Sequence, residues 1–76
     1  MKKIAVFPGS FDPITTGHVE IVRRALPLFD EIVVAIGVNS QKSYLFTLEQ
    51  RLQWLRDVFS GEPKVRVDYF ENLTAH

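Results

Sequence analysis

The chain has no cysteine, only four glycines, no surplus of charge of either sign and no long apolar run. Without cysteine there are no disulfide staples and no thiolate-ligated metal, a composition that fits a reducing compartment. The few glycines form neither Gly-x-Gly-x-x-Gly nor Gly-x-x-x-x-Gly-Lys-Ser/Thr, so the dinucleotide and P-loop fingerprints are both absent. Nine basic and nine acidic residues cancel, which argues for neither nucleic acid nor an anionic membrane as partner. After Met1-Lys2-Lys3 come only five consecutive apolar residues or prolines, Ile4 to Pro8. That is too short for a secretory signal and far too short to span a membrane, so a soluble cytoplasmic protein is expected. What is present, 46% hydrophobic and 24% charged residues, is the composition of a globular chain. Its 76 residues make one domain or less, with a core that is marginal by itself.

The most informative stretch is Pro8-Gly9-Ser10-Phe11-Asp12-Pro13-Ile14-Thr15-Thr16-Gly17-His18. It follows a short apolar run, Lys3 to Phe7, and leads into a helical pattern that begins near His18. A strand, a glycine-containing loop and a helix start together make a phosphate site. Unpaired N–H groups and the positive end of the helix dipole both favour an anion there. Gly9 is expected to let the chain turn off the strand, and Gly17 to let it pack tightly where the helix begins. Ser10 offers a hydroxyl and a backbone N–H. His18, in the first turn, can donate to phosphoryl oxygens as charge develops on them. Each residue alone is compatible with an ordinary strand–turn–helix connection. Their joint register after a strand is what points to phosphate chemistry.

Strand-like and helical patterns alternate along the chain. Val19, Val22, Leu26 and Phe29 recur at helical spacing, and Pro27 helps to end that helix. Ile32 to Ile36 is β-branched and uncharged, a second buried strand. The polar loop 39–46 leads to Thr47-Leu48-Glu49-Gln50, a capping box for a helix with Leu48, Leu52, Leu55 and Phe59 on one face. Lys64 to Tyr69 alternates apolar with polar residues, a third strand with one wetter face. The first two strands are expected to be buried on both faces. The order β-α-β-α-β at these spacings implies right-handed crossovers, a parallel sheet and half of a Rossmann-like α/β fold. Ligands in such sheets bind beyond the carboxyl ends of the strands, where the signature loop, the loop holding Lys42 and the segment after Phe70 converge. By itself Lys42 reads as a solvated loop cation. Trp54, at helical spacing from Val58, reads as a packing or subunit contact, and Asp12 as a carboxylate that fixes the signature loop through backbone hydrogen bonds.

Gly9-Ser10-Phe11-Asp12 followed by Thr15-Thr16-Gly17-His18 resembles the signature of the nucleotidylyltransferase superfamily. With Thr15 in the first position of the second motif, the stretch is similar to that of phosphopantetheine adenylyltransferases, which make dephospho-coenzyme A. Phe46-Thr47-Leu48-Glu49-Gln50-Arg51, four residues beyond Lys42, also resembles a segment of that family in register. The resemblance implies adenylyl transfer from ATP to 4′-phosphopantetheine. Ser10 would orient the acceptor phosphate, His18 would stabilise the transition state, Lys42 would hold the reacting phosphates and Phe11 would give ATP a backbone contact. Thr74, where relatives carry an aliphatic residue, falls in the loop that contacts the pantetheine arm. Magnesium would neutralise the departing pyrophosphate, and the assembly would be a homohexamer. A sister enzyme with another phosphate acceptor, or an inactive nucleotide-binding fragment, remain the alternative readings.

Residues 1–76 then form a nucleotidylyltransferase domain, expected to be incomplete at its C-terminus because the family's later phosphate-clamp and nucleotide-binding segments are not in the sequence. The exposed side of such a half is expected to leave Leu26, Phe29, Leu55 and Phe59 short of packing partners.

Overall fold

The computed structural model describes residues 1–71. Its elements are β1 (Ile4–Gly9), α1 (Thr16–Ala25) running into a 3-10 turn (Leu26–Leu28), β2 (Glu31–Val38), α2 (Leu48–Val58) and β3 (Val65–Glu71). The strands are parallel and lie side by side in the order β1-β2-β3. This is the α/β arrangement that the alternating pattern predicts.

α1 starts at Thr16, two residues before His18, because Thr15 caps it: its side chain accepts from His18 N while the His18 side chain returns to the Thr15 backbone. Thr47 Oγ1 accepts from Gln50 N at 3.1 Å and caps α2, which is half of the expected capping box. The full reciprocal box forms at α1, with a histidine in the place usually held by Glu or Gln. Pro27 cannot donate, and the chain tightens there into the 3-10 turn before β2.

Both helices lie on one face of the sheet. Val22 and Ala25 of α1 and Leu52, Leu55 and Phe59 beside them pack on Ile32, Val34 and Ile36 of β2. The central strand is buried from Ile32 to Ile36, as expected. β1 is not buried on both faces. Ala5 and Phe7 pack under the helices, but Ile4 and Val6 are 52% and 59% exposed on the other side. An uncharged run marks a strand able to be covered twice, whereas the number of covering layers is a property of the surrounding chain. The expected packing deficit holds in part: Leu26 and Phe29 are half-buried, whereas Leu55 and Phe59 are 0% and 4% exposed, and Ile4 and Val6 add open apolar surface on the sheet face opposite the helices.

Register sets the site. Gly9 pairs with Ile36, and Val38 with Glu71, so the carboxyl ends of the strands release their loops along one edge.

Candidate active site

The signature loop leaves β1 at Gly9 without a left-handed glycine. The left-handed residue is Phe11, with φ of 46°. Its ring is buried and lies so close that a Cβ on Gly9 would sit 3.1 Å from Phe11 Cε2. Gly9 therefore makes room for the ring packed against it, and a Cβ there would push the Phe11 ring aside. The left-handed backbone costs about 1–2 kcal/mol, whereas burying a phenylalanine side chain gains about 1.5–3 kcal/mol, so burial offsets the strain. Ser10 is left exposed at the loop's crest.

Gly17 differs from expectation in the same way. A Cβ there would meet only Thr15 Oγ1, at an ordinary 3.6 Å. No part of the described chain packs tightly on it, and the space above the helix start is open.

His18 sits in that first turn with its ring fixed. Thr15 N donates to His18 Nδ1 at 3.0 Å, and Thr15 Oγ1 lies 3.1 Å from the same nitrogen. A backbone N–H can only donate, so Nδ1 accepts and the ring proton resides on Nε2. The edge of the ring stands against Phe11, with centroids 4.9 Å apart and planes at 70°. Phe11 thus orients the imidazole, while the helix cap selects its tautomer. Together with Pro8, Phe11, Ile21 and Val22, His18 lines a cleft of about 230 Å³ on the α1 side of the loop.

The other side of the loop opens on a cavity of about 330 Å³. Ser10 and Lys42 both line it, with Gly37 and Asn39 from the end of β2, Tyr44, and Phe70 from β3. The two residues, far apart in the sequence, are thus brought to one cavity as expected, and His18 to the neighbouring cleft, with Pro8 common to both. Thr74 lies outside the described residues. Another hollow of about 370 Å³, between Arg56, Glu62 and the start of β3, contains none of the signature residues.

The loop bearing Lys42 is held from several directions. Tyr44 Oη accepts from Asn39 N at 2.9 Å and donates to Gly37 O at 3.4 Å. Asn39 also accepts, through Oδ1 from Gln41 N at 2.9 Å and through its carbonyl from Lys42 N at 3.1 Å, which closes a tight turn at Lys42. Asp12 does bond to backbone, but not within its own loop: its carboxylate accepts from Leu45 N at 2.5 Å and Phe46 N at 2.8 Å. Phe46 in turn packs edge-on against Trp54, with centroids 4.7 Å apart, which makes Trp54 a packing residue.

Arg51 closes the family-like segment Phe46 to Arg51, but the motif gives it no role. It is 2% exposed and donates from Nε to Phe46 O (3.0 Å) and Thr47 O (3.3 Å), and from Nη1 to Ser10 O (3.0 Å). Its guanidinium lies 4.3 Å from the centre of the Tyr44 ring. The available signal was its position, three residues after Leu48 and four before Leu55, a charge on the apolar stripe of α2. Among the described residues no three of His, Asp and Glu gather as a group that could hold a metal ion.

A parallel sheet with a helix start, a serine and a lysine at its carboxyl edge and a tautomer-fixed histidine beside them defines a Rossmann-like α/β domain with a candidate site at that edge. Residues 6–76 match the cytidylyltransferase-like family, and the chain belongs to that family. It is 60% identical over 74 residues to a phosphopantetheine adenylyltransferase of Christiangramia forsetii, covering 97% of this chain and 48% of that protein. To a protein of the same name from Leptospira biflexa it is 54% identical over 74 residues, 97% of this chain and 46% of the relative. The chain therefore spans about half the length of the curated relatives it matches. The crystal structure of NadR protein in complex with NAD and AMP-PNP superposes on the whole chain and on 22% of its own, with a TM-score of 0.84 at 23% identity, a likeness of fold. No helix among the described residues is long and apolar enough to cross a membrane.

Proposed function

We propose that the protein carrying these residues transfers the adenylyl group of ATP to 4′-phosphopantetheine, giving dephospho-coenzyme A and pyrophosphate. The observation that carries this reading is the meeting of Ser10 and Lys42 in one cavity beside a helix start where His18 keeps its proton on Nε2. The high identity to proteins named phosphopantetheine adenylyltransferase supports the choice of acceptor.

In the proposed step an oxygen of the acceptor phosphate bonds to the α-phosphorus of ATP. The bond from that phosphorus to the bridging oxygen breaks, and its electron pair leaves with pyrophosphate. The acceptor phosphate is already ionised, so neither a general base nor a covalent enzyme intermediate is required. Catalysis is positioning together with stabilisation of charge in flight. Ser10 orients the acceptor phosphate. Lys42, a compact ammonium with three donors, follows the phosphates as they shift. His18 donates Nε2–H to the α-phosphoryl oxygens. Because the Phe11 side chain is buried, its contribution to ATP is a backbone contact. Thr74 belongs to the acceptor side by resemblance. The described residues offer no carboxylate cluster for a resident metal, and Asp12 is occupied by two backbone N–H groups. Magnesium would neutralise the departing pyrophosphate. A cytoplasmic homohexamer goes with this reading.

The test is pyrophosphate release by the full-length protein with ATP and magnesium. Release should require 4′-phosphopantetheine and not be supported by nicotinate mononucleotide or glycerol phosphate. Preference for either of the latter would assign the protein to a sister enzyme instead, and no turnover with any acceptor would leave a nucleotide-binding module.

A further inference from the structure

The signature loop is tied directly to the Lys42 loop and, through Arg51, to the helix that follows it. From the signature loop, the Asp12 carboxylate takes the N–H groups of Leu45 and Phe46. From α2, Arg51 reaches back to the carbonyl of Ser10 while also holding those of Phe46 and Thr47. The same guanidinium lies on Tyr44, whose hydroxyl ties the front of the loop to Gly37 and Asn39. Lys42 lies between these two anchorages, and Ser10 lies directly on one of them.

A buried guanidinium is a costly way to fill space. Among the described residues no carboxylate lies within ion-pair distance of Arg51, so its charge is offset only by carbonyl dipoles and the Tyr44 ring. An apolar side chain would pack this part of α2 at lower cost. What it could not do is bridge carbonyls of two loops with one rigid plane. Lysine could not do so either, since its single ammonium has no planar fork and does not stack.

We infer that Arg51, acting with Asp12, is a positioning residue that fixes the spacing between Ser10 and Lys42, and so sets the geometry in which the two hold the reacting phosphates. This rests on the proposed role of Lys42. It adds that Arg51 touches no substrate and acts through Lys42 and Ser10.

A double-mutant cycle in the full-length protein tests it, with Arg51→Lys, Lys42→Ala and the pair assayed for phosphopantetheine-dependent pyrophosphate release. Arg51→Lys alone should lower kcat about 10- to 100-fold, since small misplacement of reacting groups is costly. In the Lys42→Ala background the same change should lower kcat by less than about threefold, because residues that act as one unit are not additive. Equal factors in both backgrounds, or no loss from Arg51→Lys alone, would overturn the inference and leave Arg51 as a packing residue. Hydrogen exchange gives a readout independent of turnover. Arg51→Lys should speed exchange of the Leu45 and Phe46 amides while those of Val33 and Val34 in β2 keep their protection. Uniform loss of protection through β2 would instead mean general destabilisation and overturn the inference. If Arg51→Lys does not fold, Asp12→Asn, which puts an amide NH₂ against one of the two N–H groups, enters the same cycle with the same criteria. A failure of the proposed function is separate and visible first: pyrophosphate release by the unmutated protein would not depend on phosphopantetheine, whereas the exchange pattern would still report on the loops.

Discussion

The helix start that carries His18 is held by hydrogen bonds between residues three apart, whereas the loop that carries Lys42 adds to its own local bonds, over two to seven residues, two from Asp12 that reach across 33 and 34. The first arrangement is local. Thr15 and His18 satisfy one another's backbone and side-chain groups as part of beginning a helix, and the ring's tautomer follows. The second exists only once β1, β2 and α2 are in place, because its donors and acceptors come from both loops and from α2. Local constraints survive a distant substitution. Long-range ones are coupled, because the residues that make them share partners.

Substitution of His18 should give the largest effect. In the full-length protein His18→Ala is expected to lower kcat about 100-fold or more, the usual loss for a donor aimed at developing charge. ATP affinity should change far less, since the bond strengthens mainly in the transition state. Nearly normal kcat would remove His18 from the chemistry and with it the functional half of the contrast.

Next comes the lysine of the second loop. Lys42→Ala should reduce kcat/KM for phosphopantetheine about tenfold or more, as for loss of a charged hydrogen-bond partner. Lys64→Ala is the comparison, because its ammonium donates to Leu26 O at 3.0 Å, at the amino end of β3 and away from the cavity. Equal effects of the two changes would return Lys42 to the status of a solvated surface cation.

Gly17 sharpens the local side of the contrast. Gly17→Ala should leave the melting temperature unchanged or raise stability by up to about 1 kcal/mol, since alanine is the better helix former and its Cβ would meet only Thr15 Oγ1. It should nevertheless weaken ATP binding severalfold if a phosphate rests on the helix start. Titration of nucleotide against the variant decides this, and unchanged affinity would move the phosphate elsewhere.

The smallest effect on turnover is expected at Thr15. Thr15→Ala removes a helix cap, a loss of about 1 kcal/mol in stability measured by denaturant unfolding. The backbone N–H that fixes Nδ1 remains, so kcat should fall by no more than about threefold, a small share of the loss expected at His18. A fall as large as that of His18→Ala would show that the hydroxyl, not the backbone, holds the ring.

Much of this was legible in the sequence. The strand and helix order, the parallel sheet and the convergence of Ser10 and Lys42 follow from periodicity and strand ends, because hydrophobic spacing and crossover handedness leave few arrangements open. Side-chain placement was less legible: Gly9 makes room for the Phe11 ring of its own loop, Gly17 stands open, and Asp12 bonds to the next loop, because a motif shows neither where a ring folds back nor what lies across the sheet edge. The continuous apolar run of β1 likewise could not show that Ile4 and Val6 face away from both helices.

By itself the sequence determined what depends on neighbours within a few positions: the elements and the cap in which Thr15 and His18 satisfy one another. The backbone N–H groups and apolar periodicity that produce these lie within one or two turns of chain. Only the tertiary structure decided that Asp12 takes the N–H groups of Leu45 and Phe46 and that Arg51 bridges Ser10 to Phe46 and Thr47. A buried guanidinium chooses carbonyl acceptors, and a carboxylate N–H donors, by distance in space, and those distances exist only after the sheet has set its register.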